Sequence, residues 1–187
     1  MDMHTYSPAA MPDLIRYQIL AFMRTEWPQG FTGQRRGRRW ISLPEFNPTH
    51  FVLTDSDLVV GHAESIWCDW AHQDVSYRVY GLSGVFVYPD YQGEGLGQRL
   101  VTAATDYCID QPDADVGMLW CEPRLRPFYV RCGWEAMDTT TTLLGDTEAE
   151  AQTHDDEMLF MRFFSDHGQS HRADFENARV YFGWTTW

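Results

Sequence analysis

Apolar positions along this chain recur in two periods. From Asp13 onward, Leu14, Ile15, Ile19, Phe22 and Met23 follow helical spacing, and Pro12 ahead of them suits a helix start. The rhythm then stops: residues 29–39 set Gly30, Gly33 and Gly37 among arginines and read as a loop. A hairpin follows, with strands at 51–54 and 58–67 joined by the turn Asp55-Ser56-Asp57. Residues 77–88 predict a long strand broken by Gly81 and Gly84, and glycine inside a strand marks a bulge or a close backbone approach. Pro89-Asp90-Tyr91 stops that strand, and a glycine-rich turn leads into a helix over 96–109, closed by Pro112. The pattern continues as a short apolar strand at 116–121, a helix at 126–132 ended by Gly133, and a strand at 135–144. An acidic loop at 145–156 precedes a last sheet strand at 158–164. Residues 165–187, polar and then aromatic, form an extension that periodicity does not place. Many strands with few helices indicate an α/β or α+β sheet domain, here residues 1–164 with the extension 165–187 packed on it.

Composition narrows the partners. Hydrophobic residues make up 44% of the 187, enough for a core, so wholesale disorder is excluded. Acidic residues outnumber basic ones 27 to 14, a net charge of −13 that disfavours nucleic acid and anionic membrane and attracts cations. Solubility is the simpler meaning of that charge; a polyamine-like substrate is the sharper one. Cys68, Cys108, Cys121 and Cys132 are widely spaced, without a C-x-x-C pair, and read as buried thiols of a reducing compartment. The seven histidines show no H-E-x-x-H or comparable spacing, so no metal is expected. With no leader-like segment at 1–12 and no 18-residue apolar run, the expected location is the cytoplasm. The cluster Arg35-Arg36-Gly37-Arg38-Arg39 has several meanings, of which a solvated surface is the plainest.

The candidate chemistry sits where the second β segment ends, in Val85-Phe86-Val87-Tyr88-Pro89-Asp90-Tyr91-Gln92-Gly93-Glu94-Gly95-Leu96-Gly97-Gln98. Glycines at 93, 95 and 97 permit positive φ and bring backbone N–H groups close to an anion, and the following helix adds unpaired donors and the positive end of its dipole. That combination suits a pyrophosphate. The spacing fits neither G-x-G-x-x-G nor a P-loop, which needs G-K-[ST]. The segment does resemble motif A of the GNAT acetyltransferase superfamily, Q/R-x-x-G-x-G/A after a strand, with Gln92, Gly95 and Gly97 at its defining positions.

The resemblance implies a GNAT fold: a central mixed, mostly antiparallel twisted sheet of about six or seven strands flanked by helices. It also implies acetyl-CoA as co-substrate, held by Gln92, Gly93, Glu94, Gly95, Leu96, Gly97 and Gln98. In that family the strand at Val85, Phe86 and Val87 pairs with the pantetheine arm through main-chain groups, and an N–H there polarises the thioester carbonyl. Tyr129, four residues before Gly133-Trp134, stands where the family carries a general acid for the departing thiolate. A core aromatic is the plainer reading of that tyrosine.

Within the superfamily, the layout is similar to the aminoglycoside 2′-N-acetyltransferases, from about residue 58 to 164 and again at the C-terminus. The matching stretches are Gly61-His62-Ala63, Gly84-Val85-Phe86-Val87, the glycine turn, 117–134, and Gly183-Trp184-Thr185-Thr186-Trp187. Attack on a thioester needs a neutral amine, so a carboxylate must take a proton directly or through water. Candidates are the terminal carboxylate of Trp187 and Glu64, with Asp155 and Asp156 beside the last strand. Glu64 shares a strand face with His62; a solvated strand residue is its plainer reading. Departures bear on the acceptor: Ser83 replaces the family's glutamate, Thr185 replaces an acidic residue, and Trp120 stands where a small hydroxyl residue is usual. Fewer carboxylates and more aromatic surface suit a less cationic aminosugar stacked on rings. Ser83, Trp120, Asp155, Asp156 and Trp187 are the candidate substrate contacts. The expectation is 2′-N-acetylation of a small cationic aminosugar antibiotic, of which kasugamycin is an atypical example, conferring resistance. Another small amine, a polyamine or a protein N-terminus is the alternative acceptor, and a homodimer is the family's usual assembly.

Overall fold

In the computed structural model, which describes residues 1–183, the chain begins inside the sheet. β1 (Asp2–Tyr6) pairs antiparallel with β2 (Thr49–Asp55), Asp2 opposite Thr54 and Tyr6 opposite His50. Between them lie α1 (Asp13–Glu26) and three short 3₁₀ turns. β3 (Leu58–His72) and β4 (Val75–Val87) form a long hairpin, five residues longer at the end of β3 than periodicity suggested. α2 (Leu96–Ile109), β5 (Val116–Cys121), α3 (Arg126–Arg131), β6 (Glu135–Ala136), β7 (Thr141–Leu144), β8 (Gln152–Thr153), β9 (Met158–Phe163), α4 (Asp166–Ser170) and β10 (Arg179–Gly183) follow. Among the described residues, seven strands form one sheet in the order β1-β2-β3-β4-β5-β9-β6, and three form another, β10-β7-β8. The larger sheet is antiparallel at β1–β2, β2–β3, β5–β9 and β6–β9 and parallel at β4–β5.

The chain divides into two compact units, residues 1–66 with 83–105, and residues 67–82 with 106–187. In the first, α1 buries Ile15, Ile19, Leu20 and Met23 against Phe31, Ile41, Val52, Val59 and Phe86. Leu14 is 60% exposed and Leu20 is buried instead, so the buried stripe is rotated from the one expected. Phe22 stacks on Phe86 with ring centroids 4.0 Å apart.

The second unit has Tyr77, Val79, Met118, Leu159, Met161, Phe175 and Val180 at its centre. All six residues of β5 are buried, as both faces of an inner strand require. The single strand expected at 135–144 is two: β6 lies on the larger sheet, and a turn closed by Thr140 N–H to the Met137 carbonyl sends β7 into the smaller one. The acidic loop contains β8, which pairs with β7. β10 pairs parallel with β7, and Phe175 and Val180 are fully buried, so residues 165–183 are part of this unit's core. All four cysteines are free. Among the described residues, no helix is long and apolar enough to cross a membrane.

Candidate functional site

The first unit carries the glycine turn. Phe86 is buried against Phe22, whereas Val85 and Val87 are half-buried, so a ligand beside this segment meets main chain more than the Phe86 ring. The parallel ladder between β4 and β5 takes in Val79 to Gly81 only, which leaves the peptide groups at 85–87 outside it. A 3₁₀ turn at Pro89–Tyr91 then reverses the chain, and Gln92 Nε2 donates to the Val87 carbonyl at 2.9 Å, tying the turn to the end of β4. Gly93 and Gly95 have φ of +86° and +78°. A Cβ at either would meet nothing within 4 Å, so backbone conformation, not crowding, demands glycine there. The open space faces exposed residues 92–95, and the Arg99 N–H bond to the Gly95 carbonyl (3.0 Å) marks the first turn of α2. The leading amides of that helix have no acceptor within it. An open, glycine-turned helix start fits the pyrophosphate of acetyl-CoA.

Behind β4, polar side chains gather in the same unit. Gly84, with φ of +56°, turns its carbonyl to within 2.7 Å of His62 Nδ1. A Cβ there would stand 3.2 Å from the His62 ring. Since a carbonyl only accepts, His62 carries its proton on Nδ1, and Nε2 is left as an acceptor, 3.2 Å from His50 Nδ1. His50 Nδ1 is also 3.1 Å from Glu64 Oε2, and the Ser42 hydroxyl donates to Oε1. His62 and Glu64 are fully buried and His50 nearly so. Oε2 of Glu64 has His50 Nδ1 as its nearest donor, an ion-pair contact at 3.1 Å that falls short of a well-aligned hydrogen bond. Burial pushes the His62 imidazole down to about 4, against the pull of Glu64. Burial alone would raise the Glu64 carboxyl, but His50, with His62 and Ser42, outweighs it and holds the group at about 2. Glu64 is therefore an anion inside the fold, not the solvated strand residue of the plainer reading. The three groups lie within 4.8 Å of one another, close enough to share a cation, and one proton on His50 Nδ1 bridges them equally well. Sequence pattern missed His50 because it reaches Glu64 across a β2–β3 register.

A cavity of about 200 Å³ opens beside this cluster, lined among others by Met11, Arg39, Trp40, Ser42 and His50. Arg38, from the basic loop, sits over the Phe31 ring at 4.1 Å, so that loop is more than a solvated run of charge.

The second unit holds Tyr129 on α3. Its ring packs edge-on against Phe128 and near Phe160 at 5.7 Å, and only 6% of the residue is exposed. Burial, with Cys121, Cys132 and Glu157 adding to it, raises the phenol well above its ordinary value, so it stays protonated. Trp120 does not offer the open stacking face expected of it. It is buried, donates to the Thr142 hydroxyl at 3.0 Å and packs on Phe182 at 4.6 Å. Asp155 and Asp156 are exposed before β9, and Ser83, in the first unit, is half-buried. Trp187 and Thr185 lie outside the described residues.

Sequence comparison matches residues 2–137 to the family described as acetyltransferase (GNAT) domain. No curated protein matches the chain. Among solved structures, Escherichia coli ElaA superposes with a TM-score of 0.60 at 14% identity, covering 87% of this chain and 99% of its own. An aminoglycoside 6′-N-acetyltransferase complexed with coenzyme A gives 0.60 at 11% identity, covering 88% and 98%. Arabidopsis thaliana NAA60 with a bisubstrate analogue gives 0.57 at 13%, covering 88% and 100%. At these identities the likeness speaks to the fold.

Proposed function

This chain belongs to the GNAT acetyltransferase family, and on that premise we propose that the amine it acetylates is borne by an aminosugar antibiotic of the aminoglycoside class. It is an acetyl-CoA-dependent N-acetyltransferase. The observation that carries the reading is the turn at Gly93 and Gly95, whose positive φ opens main-chain donors at the head of α2.

Acetyl-CoA supplies an acetyl group activated as a thioester. Amides of residues 92–98 hold its phosphates. Main-chain groups of Val85, Phe86 and Val87 align the pantetheine arm, and an N–H there polarises the carbonyl. Tyr129, kept neutral by its burial, donates its proton to the departing thiolate. The acceptor nitrogen must be unprotonated to attack, and Glu64 is the buried charge available to that step. Support for an aminosugar comes from the net charge of −13, the stretches that resemble the 2′-N-acetyltransferases, and Trp40, a 38%-exposed ring beside the cavity of the first unit. Ser83 in place of a glutamate favours a less cationic acceptor such as kasugamycin.

Calorimetry with acetyl-CoA and an acetylation assay over an aminoglycoside panel that includes kasugamycin test the reading together. Binding of acetyl-CoA with turnover of a panel member, and a raised inhibitory concentration of that antibiotic in cells, is the expected result. Binding without turnover of any member overturns the acceptor class.

A further inference from the structure

Glu64 is fully buried, so it cannot itself meet a substrate. Unlike Glu64, His50 borders the cavity: although only 2% exposed, it is among the lining residues together with Ser42, Trp40 and Arg39. The tautomer of His50 follows from its neighbours. His62 is fixed as an Nδ1–H donor by the Gly84 carbonyl, so its Nε2 is a lone pair facing His50 Nδ1 at 3.2 Å. The Glu64 oxygen at 3.1 Å from the same nitrogen belongs to a carboxylate that His50, His62 and Ser42 keep ionised, so it too can only accept. Two acceptors converging on one ring nitrogen require that nitrogen to carry the hydrogen. His50 Nε2 is then the unprotonated position, on a residue that borders the cavity. A proton arriving there makes an imidazolium whose charge is offset by the orphaned carboxylate oxygen beside it. This is the division of labour of a histidine base oriented by a buried carboxylate.

We propose that His50 Nε2 takes the proton from an amine bound in this cavity, with Glu64 as the positioning residue that orients the His50 ring and offsets its charge. The proposal rests on the N-acetyltransferase reading above. The acceptor ammonium gives one proton to Nε2. Its freed lone pair forms the C–N bond to the acetyl carbon while the C–S bond breaks, its electrons leaving with sulfur. The second nitrogen proton passes to water as the amide forms, the thiolate takes its proton from Tyr129, which is reprotonated from water, and His50 returns its proton to water, for a net release of one proton. The cavity is smaller than the several hundred Å³ usual for drug-sized ligands, and so receives the amine and the ring that bears it, not a whole multi-ring antibiotic. Trp40 supplies a face for that ring. Other charged groups bear on the relay. Arg38 acts electrostatically on Glu64, Arg16 lines the cavity but is held by Asp13 at 2.8 Å, and Arg39 is exposed at the rim.

The test has two arms on the full chain. In the first, long-range proton–nitrogen spectra of histidine-labelled protein read the ring tautomers without any substrate. Both His50 and His62 are expected as Nδ1–H at neutral pH, and Glu64→Gln is expected to disturb His50. A His50 ring protonated at Nε2 overturns the proposal. In the second, initial rates are measured with acetyl-CoA and kasugamycin or kanamycin from pH 5 to 10. His50→Gln should lower kcat about 100-fold or more, the scale of general base catalysis, remove the acid limb of the kcat/KM profile, and leave acetyl-CoA affinity within about threefold. Added imidazole should restore part of the rate to His50→Ala. An unchanged profile in folded His50→Gln sinks the relay and leaves the acetyltransferase assignment standing. Loss of acetyl-CoA binding in the wild type would sink that assignment instead. Loss of turnover on dialysis against EDTA, regained with Zn²⁺, would make the cluster a metal site and refute proton transfer by His50.

Discussion

Acidification should unfold this protein through His62 before it reaches the carboxylates. The His62 imidazole is fully buried, commits Nδ1–H to the Gly84 carbonyl, and is held at about 4, whereas an unfolded histidine titrates near 6.5. A base whose folded value is lowered contributes stability above the unfolded value and loses it as pH falls towards the folded one. Below 6.5 the unfolded chain takes up a proton that the fold refuses until about 4. The full loss across that window is about 3 kcal/mol, and between pH 7 and pH 5 it is about 2 kcal/mol. Glu64 acts lower: its carboxyl, held at about 2, contributes above its ordinary 4.5 and loses that below it, so it leaves the pH 5–7 window to His62. Urea unfolding monitored by Trp fluorescence at pH 7, 6 and 5 would measure the slope. His62→Asn, whose amide N–H replaces the Nδ1 donor, provides the comparison, because its side chain does not titrate. The wild type should lose about 2 kcal/mol more than this variant between pH 7 and 5. Equal losses, within about 0.5 kcal/mol, would show that His62 is charged or solvated in the fold and that the tautomer argument is wrong.

Other outcomes follow from the same structure. Gly95→Val forces a β-branched residue to φ near +78° and should lower stability by roughly 1–2 kcal/mol, while weakening acetyl-CoA binding at least tenfold by calorimetry. Tyr129→Phe should reduce kcat by about 100-fold or more, with acetyl-CoA affinity unchanged, if the phenol proton goes to the leaving thiolate; unaltered kcat assigns the ring to packing alone. Phe175→Ala removes a fully buried ring that packs with Trp70, His72, Tyr77 and Phe163, and should cost about 3–5 kcal/mol in a denaturation assay. A loss under 1 kcal/mol would mean that the C-terminal segment is not part of the core.

Local signals carried far. Helices at 96–109 and 126–131 and the strand at 116–121 are readable because glycine, proline and apolar spacing mark their ends within a few residues. The glycine turn was equally legible, since positive φ is a property of a single residue and leaves its mark as glycine. Long-range pairing left weaker marks. β1 is a five-residue strand with no buried residue of its own, stabilised by β2 some fifty residues away. Residues 135–144 look like one strand until partners in two different sheets pull their ends apart. Trp120 reads as a stacking surface in sequence and proves to be core, because burial depends on Thr142 and Phe182 arriving from elsewhere in the chain.

Sequence by itself determined the family of this protein and, through it, acetyl-CoA as co-substrate, because the glycine turn is a local arrangement of backbone that a handful of contiguous residues specify. Only the tertiary structure decided the state of its buried charge. His50, Glu64 and Ser42 lie on separate segments, and whether Glu64 is a solvated acid or a buried anion beside a histidine depends on the register that brings β2 against β3. Proton positions follow from such contacts and from exclusion of water, and neither is written in any one stretch of the chain.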